Sequence, residues 1–136
     1  MIFANQYGTV DFIDPYPEIK NFTKIGLNLS GGTDSSWVLF MLCEYITKNK
    51  STFQIVPVTG IDIERPNNEW NVREIILFFK EKFPAVDFQD LITFKYFKAT
   101  SHDKTRNHIE NEHKLLENKA FDILINGKTL NPPTLV

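Results

Sequence analysis

Residues 29 to 36 read LSGGTDSS: two adjacent glycines, Gly31 and Gly32, one acid, Asp34, and four hydroxyl side chains, Ser30, Thr33, Ser35 and Ser36. Glycine at such a place permits positive φ and lets backbone approach a ligand closely. If a helix starts just beyond the glycines, its first N–H groups lack partners inside the helix. Together with the helix dipole they make a seat for an anion. The hydroxyls add donors. Asp34 is out of place beside an anion unless a divalent cation stands between them, and magnesium, which takes carboxylate and phosphate oxygens, suits that position. The combination points to a nucleotide's phosphates held with magnesium. The simpler reading is a tight strand-to-helix turn with Asp34 or a serine as the N-cap, which accounts for one polar residue of the group.

The flanking segments must supply that strand and that helix. KIGLNL before the octet is strand-like, and the apolar stretch from Trp37 to Cys43 lies in a segment long enough for a helix. That helix is apolar almost all round, as expected for one packed between a sheet and another layer. FQIVPVTG is strand-like again, although Pro57 warns against a fully hydrogen-bonded central strand. Val72, Ile75, Ile76, Phe79 and Phe83 form a helical stripe that Pro84 ends. VDFQDLITFKYF reads as extended, SHDKTRNHIENEHKLLEN as a polar helix and AFDILING as a last strand. Strands alternating with helices predict an α/β domain: an open, mainly parallel sheet with helices on both faces. Residues 1 to 23 read as an irregular or hairpin-like entry segment, and 24 to 136 as the nucleotide-binding domain.

Two phosphate loops do not fit the octet. Gly26 and Gly31 have the glycine spacing of G-x-x-x-x-G-K-[ST], but Gly32 stands where its lysine must be. The G-x-G-x-x-G fingerprint is absent. SGGTDSS instead resembles the SGG-x-DS signature of the PP-loop ATP pyrophosphatases, a family that includes asparagine, GMP and NAD synthetases, 7-cyano-7-deazaguanine synthase and tRNA-modifying enzymes. The resemblance extends loosely from Lys24 to Gly127. It implies a Rossmann-like fold, and ATP cleaved between its α- and β-phosphates with AMP passed to a substrate oxygen. It also implies that Ser30, Gly31, Gly32, Asp34, Ser35 and Ser36 grip the leaving pyrophosphate, with Asp34 at magnesium. Positioning and charge stabilisation carry most of such a reaction.

Ligands of open α/β sheets sit at the carboxyl ends of the strands. The end of the second strand therefore offers Val58, Thr59 and Gly60, by position, as backbone partners of adenine; a glycine-containing turn is the competing reading. After the last strand, Gly127 permits close approach and Lys128 offers a cation to a phosphate or a developing charge, or is simply solvated. Arg65 is placed to reach the same rim or to pair at the surface. On the polar helix, Ile109, Leu116 and His113 form the least polar face, and His102, Arg106, Ile109 and His113 fall near one face, where His102 and Arg106 could meet a substrate acid or water.

Bulk composition narrows the classes. The 136 residues are 42% apolar with 12 Phe, enough for a buried core and unlike a disordered chain. A net charge of −2 gives no electrostatic argument for nucleic acid. No run approaches the ~18 apolar residues of a membrane span, no leader is legible, and a cytoplasmic protein is the default. The single cysteine, Cys43, excludes an intrachain disulfide and a cysteine-rich zinc site and reads as a buried hydrophobe. It also speaks against the zinc-containing deazaguanine branch and against thiolation by a cysteine pair. The sequence appears short of the substrate region usual in the family, so the acceptor pocket is expected from the entry segment and loops or from a partner chain. The readings are an amide-ligase-type enzyme that adenylates a carboxylate or carbonyl, or a non-catalytic ATP-binding module or subunit of a split enzyme. The partners in view are a small-molecule acceptor, a completing chain and a second copy of this one.

Overall fold

The computed structural model describes residues 2–11, 22–97 and 101–127. The entry segment opens with a hairpin, β1 (Ile2–Asn5) paired antiparallel with β2 (Gly8–Asp11). Then come β3 (Lys24–Asn28), α1 (Thr33–Asn49), β4 (Gln54–Asp62), α2 (Asn67–Lys82), β5 (Asp87–Phe88), β6 (Ile92–Tyr96), α3 (Ser101–Glu117) and β7 (Ile123–Asn126). The second sheet is parallel throughout: β3 lies between β4 and β7, and the outer edge of β4 carries β5 and then β6. This is the expected α/β architecture, with the direction of strand addition reversing between β3 and β7.

Alternation along the strands divides the interior in two. Ile25, Leu27 and Ile55 turn to the face covered by α1 and α2, where they meet Leu39, Leu42, Cys43, Ile46, Val72, Ile76, Phe79 and Phe83. Burial of each such Leu, Ile or Val contributes about 1.5–3 kcal/mol. Burial also pushes the Cys43 thiol up to about 12, so it packs as an inert hydrophobe. Val56 and Val58 turn to the other face, against Phe121, Leu115, Phe94 and Leu124. Gly26 faces this second core, and a Cβ there would lie 2.6 Å from the Phe121 ring, so the missing side chain is the space that the ring fills.

Pro57 sits in the middle of the sheet without breaking it. Leu29 N–H donates to the Val58 carbonyl, and Gln89 N–H to the Ile55 carbonyl. Even-numbered residues of β4 thus turn their backbone polar groups to β3, and odd-numbered ones to the far edge. There β5 pairs with Gln54 and Ile55, and β6 from Val58 onward. The N–H that proline lacks falls at the seam between β5 and β6, where no ladder bond is required.

Two expectations about helix faces change. Helix α1 is buried along one face only. Trp37 remains 61% exposed, and with Phe40 and Met41 it borders a cavity of about 730 Å³ beneath the hairpin. Helix α3 does not turn Ile109 and Leu116 inward; both are exposed, whereas Asn107, His108, Asn111, Glu112 and Leu115 are partly buried. The reason is local: α3 lies over the polar ends of β3, β4 and β6, where Asn28 Nδ2 donates to Glu112 Oε1 at 2.5 Å.

The amino end of β3 is fastened to β7 by Asp122, whose Oδ2 accepts the N–H groups of Thr23 at 2.8 Å and Lys24 at 2.9 Å. Hydrogen bonds from Lys24 and then Thr23 hold its carboxyl below the usual carboxylate range. Its contribution is therefore complete above that range and fades as pH falls through the lowered folded-state value. Asp122→Asn should lower stability at neutral pH and flatten the acid limb of a melting-temperature series; an acid limb of unchanged slope would count against the fastening. Gly26→Ala should cost about 1–3 kcal/mol by overpacking, read as a lower urea midpoint with the same slope.

Candidate functional site

The octet occupies the carboxyl end of β3 beside the reversal point, where open α/β sheets form their crevice. Gly31 takes φ +82°, a left-handed conformation that an L side chain rarely adopts. Gly32 is the N-cap of α1, and no side chain caps the first turn. The cap reading of Asp34 or a serine is thereby overturned. The first backbone bond of the helix runs from Ser36 N–H to the Gly32 carbonyl at 3.4 Å. The N–H groups of Thr33, Asp34 and Ser35 precede that bond and are the natural donors to an anion.

The serine hydroxyls hold the loop itself. Ser35 Oγ accepts from Ser30 N–H at 3.2 Å, shares a hydrogen bond with Ser30 Oγ at 3.2 Å and donates to the Gly32 carbonyl at 3.4 Å. Ser30 Oγ accepts from Gly32 N–H at 3.3 Å, and Ser36 Oγ donates to the Gly32 carbonyl at 2.8 Å. Ser35 is buried. These side chains thus shape the backbone of the loop in advance. Asp34 is exposed in the first turn of α1.

Gly127 ends the described part of β7 against that first turn: a Cβ there would lie 3.0 Å from Asp34 C and from Ser35 N. Its close approach is to the helix backbone, which it backs from below. Lys128 lies outside the described residues. Of the three positions offered at the end of β4, Thr59 and Gly60 line a pocket of about 220 Å³ next to Ser30. Val58 does not: its side chain is in the second core and its carbonyl already accepts Leu29 N–H at 2.8 Å. Of the two readings of Arg65 the structure has the one at the rim, where it lines the pocket, while Arg106, Ile109 and His113 are exposed on α3.

Five pocket residues escape sequence reasoning. Asn28, Asp62, Asn68, Tyr96 and His108 complete the lining. Asp62 and Tyr96 are partners in the β4–β6 register. Burial and, to a lesser extent, the Asp62 charge push the Tyr96 hydroxyl above its ordinary range, keeping it a donor at neutral pH. His108 stands edge-on to Phe94 and Tyr96, each ring centroid 5.1 Å away, with Nδ1 4.0 Å from Glu112 Oε1. Gly60 makes room for it, since a Cβ there would meet the imidazole at 2.8 Å. The one sequence signal was the four-residue spacing of His108 and Glu112, a polar stripe that an apolar-face rule passes over. The pocket thus meets the loop at Ser30 and brings a carboxylate, a guanidinium, a phenol and an imidazole to one polar lining.

No protein-family model and no curated protein sequence matches the chain. Solved structures do. The U34-tRNA thiolase NcsA from Methanococcus maripaludis, solved with its [4Fe-4S] cluster, superposes with a TM-score of 0.54 at 16% identity; the match covers 80% of this chain and 39% of that one. Protein Rv1636 from Mycobacterium tuberculosis H37Rv superposes with a TM-score of 0.50 at 10% identity, covering 85% of this chain and 78% of that one. These likenesses show a shared Rossmann-like α/β fold.

Gly31→Ala should destabilise the protein by about 1–2 kcal/mol, the cost of the left-handed conformation for an L residue. Urea unfolding reads this directly, and an unchanged midpoint would contradict the loop geometry.

Proposed function

We propose that this chain binds ATP with magnesium and transfers AMP from it to a carboxylate or carbonyl oxygen, releasing pyrophosphate. The observation that carries this reading is the uncapped first turn of α1, set behind a positive-φ glycine at the reversal point of the sheet, within the sequence SGGTDSS and beside a polar pocket. The N–H groups of Thr33, Asp34 and Ser35 receive the β- and γ-phosphates. Ser30, Ser35 and Ser36 hold Gly31 and Gly32 in the shape that this requires. Thr59 and Gly60 border the nucleoside.

Magnesium, when bound, spreads the charge of the leaving pyrophosphate. Among the described residues no three His, Cys, Asp or Glu side chains are grouped to hold a metal. The exposed Asp34 carboxylate is the residue that would hold the ion, as a single oxygen ligand from the protein. The acceptor oxygen attacks the α-phosphorus, the bond to the bridging oxygen of the β-phosphate breaks, and pyrophosphate leaves with that electron pair. Lys128 is placed by the sequence to neutralise charge on the same edge. Backbone donors aimed at the departing oxygens supply the principal stabilisation, of which one donor represents about 3 kcal/mol of barrier.

Calorimetry with ATP and magnesium should show binding to the wild type and at least about tenfold weaker binding to Asp34→Ala, since the metal loses a charged ligand. Equal affinities would remove Asp34 from the metal. Across a panel of carboxylate and carbonyl acceptors, magnesium-dependent pyrophosphate release is expected with the correct one. ATP bound without release from any member would leave a module that holds nucleotide without turning it over.

A further inference from the structure

The loop's internal hydrogen bonds tie it to α1, and Leu29 N–H ties its first residue to Val58 of β4 at 2.8 Å, but its tip at Gly31 meets a further residue. Asn68, in the first turn of α2, stands between the two. Its Nδ2 lies 3.4 Å from Oγ1 of the fully buried Thr59, as donor to it. Its Oδ1 faces Gly31 so closely that a Cβ on Gly31 would lie 2.7 Å away, with the Asn71 Cβ at 3.5 Å. Asn68 also lines the pocket, together with Ser30, Gly60 and Asp62.

We propose that Asn68 is a positioning residue of the nucleotide site, its carboxamide setting the distance between the polyphosphate loop at Gly31 and the nucleoside pocket at Thr59. This rests on the ATP reading of the loop. The chemistry suits a carboxamide. It donates to Thr59 on one wall and packs an uncharged oxygen against Gly31 on the other, so it limits the approach of the loop by contact without opposing an anion there. Aspartate has the same shape and keeps the link, because the Thr59 hydroxyl can donate in its turn, but it adds a negative charge next to the phosphate seat. Serine is too short to bridge.

The two substitutions separate the role from general support of the fold. Adenosine engages only the pocket, whereas ATP needs pocket and loop at the correct separation. Calorimetry on the intact chain should show Asn68→Ser weakening ATP binding about tenfold and adenosine binding less than about threefold. Asn68→Asp should weaken ATP binding further, about a hundredfold at low salt with partial recovery at high salt, again with little effect on adenosine. Should the serine variant fail to fold, the isosteric aspartate variant decides alone. Equal losses for ATP and adenosine, or ATP binding unchanged in both variants, would overturn the proposal. A wild type that binds adenosine but neither ATP nor pyrophosphate would instead remove the phosphate reading of the loop, and the role of Asn68 with it.

Discussion

The structure turns on how the chain leaves β3. A parallel strand at the centre of a sheet, with neighbours on both sides, can pass into a helix above the sheet only through a sharp change of backbone direction. Gly31 supplies it at φ +82°, and Gly32 then caps α1 with backbone alone. Everything nearby follows from this turn. Ser30 and Ser35 brace it from within, Gly127 brings β7 up beneath it, and Asn68 stands against its outer side. The result is a helix end whose donors are fixed in place yet given no side-chain partner, an arrangement that is costly to leave without an anion or water.

The two faces of the sheet serve different ends. Under α1 and α2 the packing is aliphatic and aromatic, with Phe79 and Phe83 stacked in parallel and Phe40 edge-on to Phe83. This face holds the strands in register. Under α3 the packing is apolar only toward the amino ends of the strands, where Phe121 occupies the space above Gly26. Toward the carboxyl ends it gives way to Asn28, Glu112, His108 and Tyr96. Within this half-buried group Asn28 donates to Glu112, and His108 packs edge-on to Tyr96 with Nδ1 4.0 Å from the same carboxylate. The group also explains why α3 is the most polar of the helices: its inner face meets a pocket as well as a core.

Much of this was legible in the chain order of its residues. Alternating apolar runs gave the strands and helices. The stripe from Val72 to Phe83 marked the buried face of α2, and the octet marked the glycine turn into α1, because each of these signals is carried by neighbours in sequence. Pro57 in a central strand looked like a contradiction, and only the division of the neighbouring edge into β5 and β6 resolves it. The polar face of α3 was misassigned for a similar reason: periodicity ranks faces by hydrophobicity, and this helix turns inward the side chains that bond to the strand ends.

The sequence alone determined the class of fold, the alternation of its elements and the place of the glycine turn between β3 and α1, all consequences of local backbone preference and of apolar spacing. Tertiary structure settled which serines hold the loop and which groups face outward, that Val58 belongs to a core and not to the pocket, and that Asn28, Asp62, Asn68, Tyr96 and His108 meet around one cavity. Those residues come from five different elements, β3, β4, α2, β6 and α3, and span the chain from position 28 to position 108. Their meeting depends on strand register and helix rotation, which the packing of the whole domain fixes and no short stretch of chain encodes.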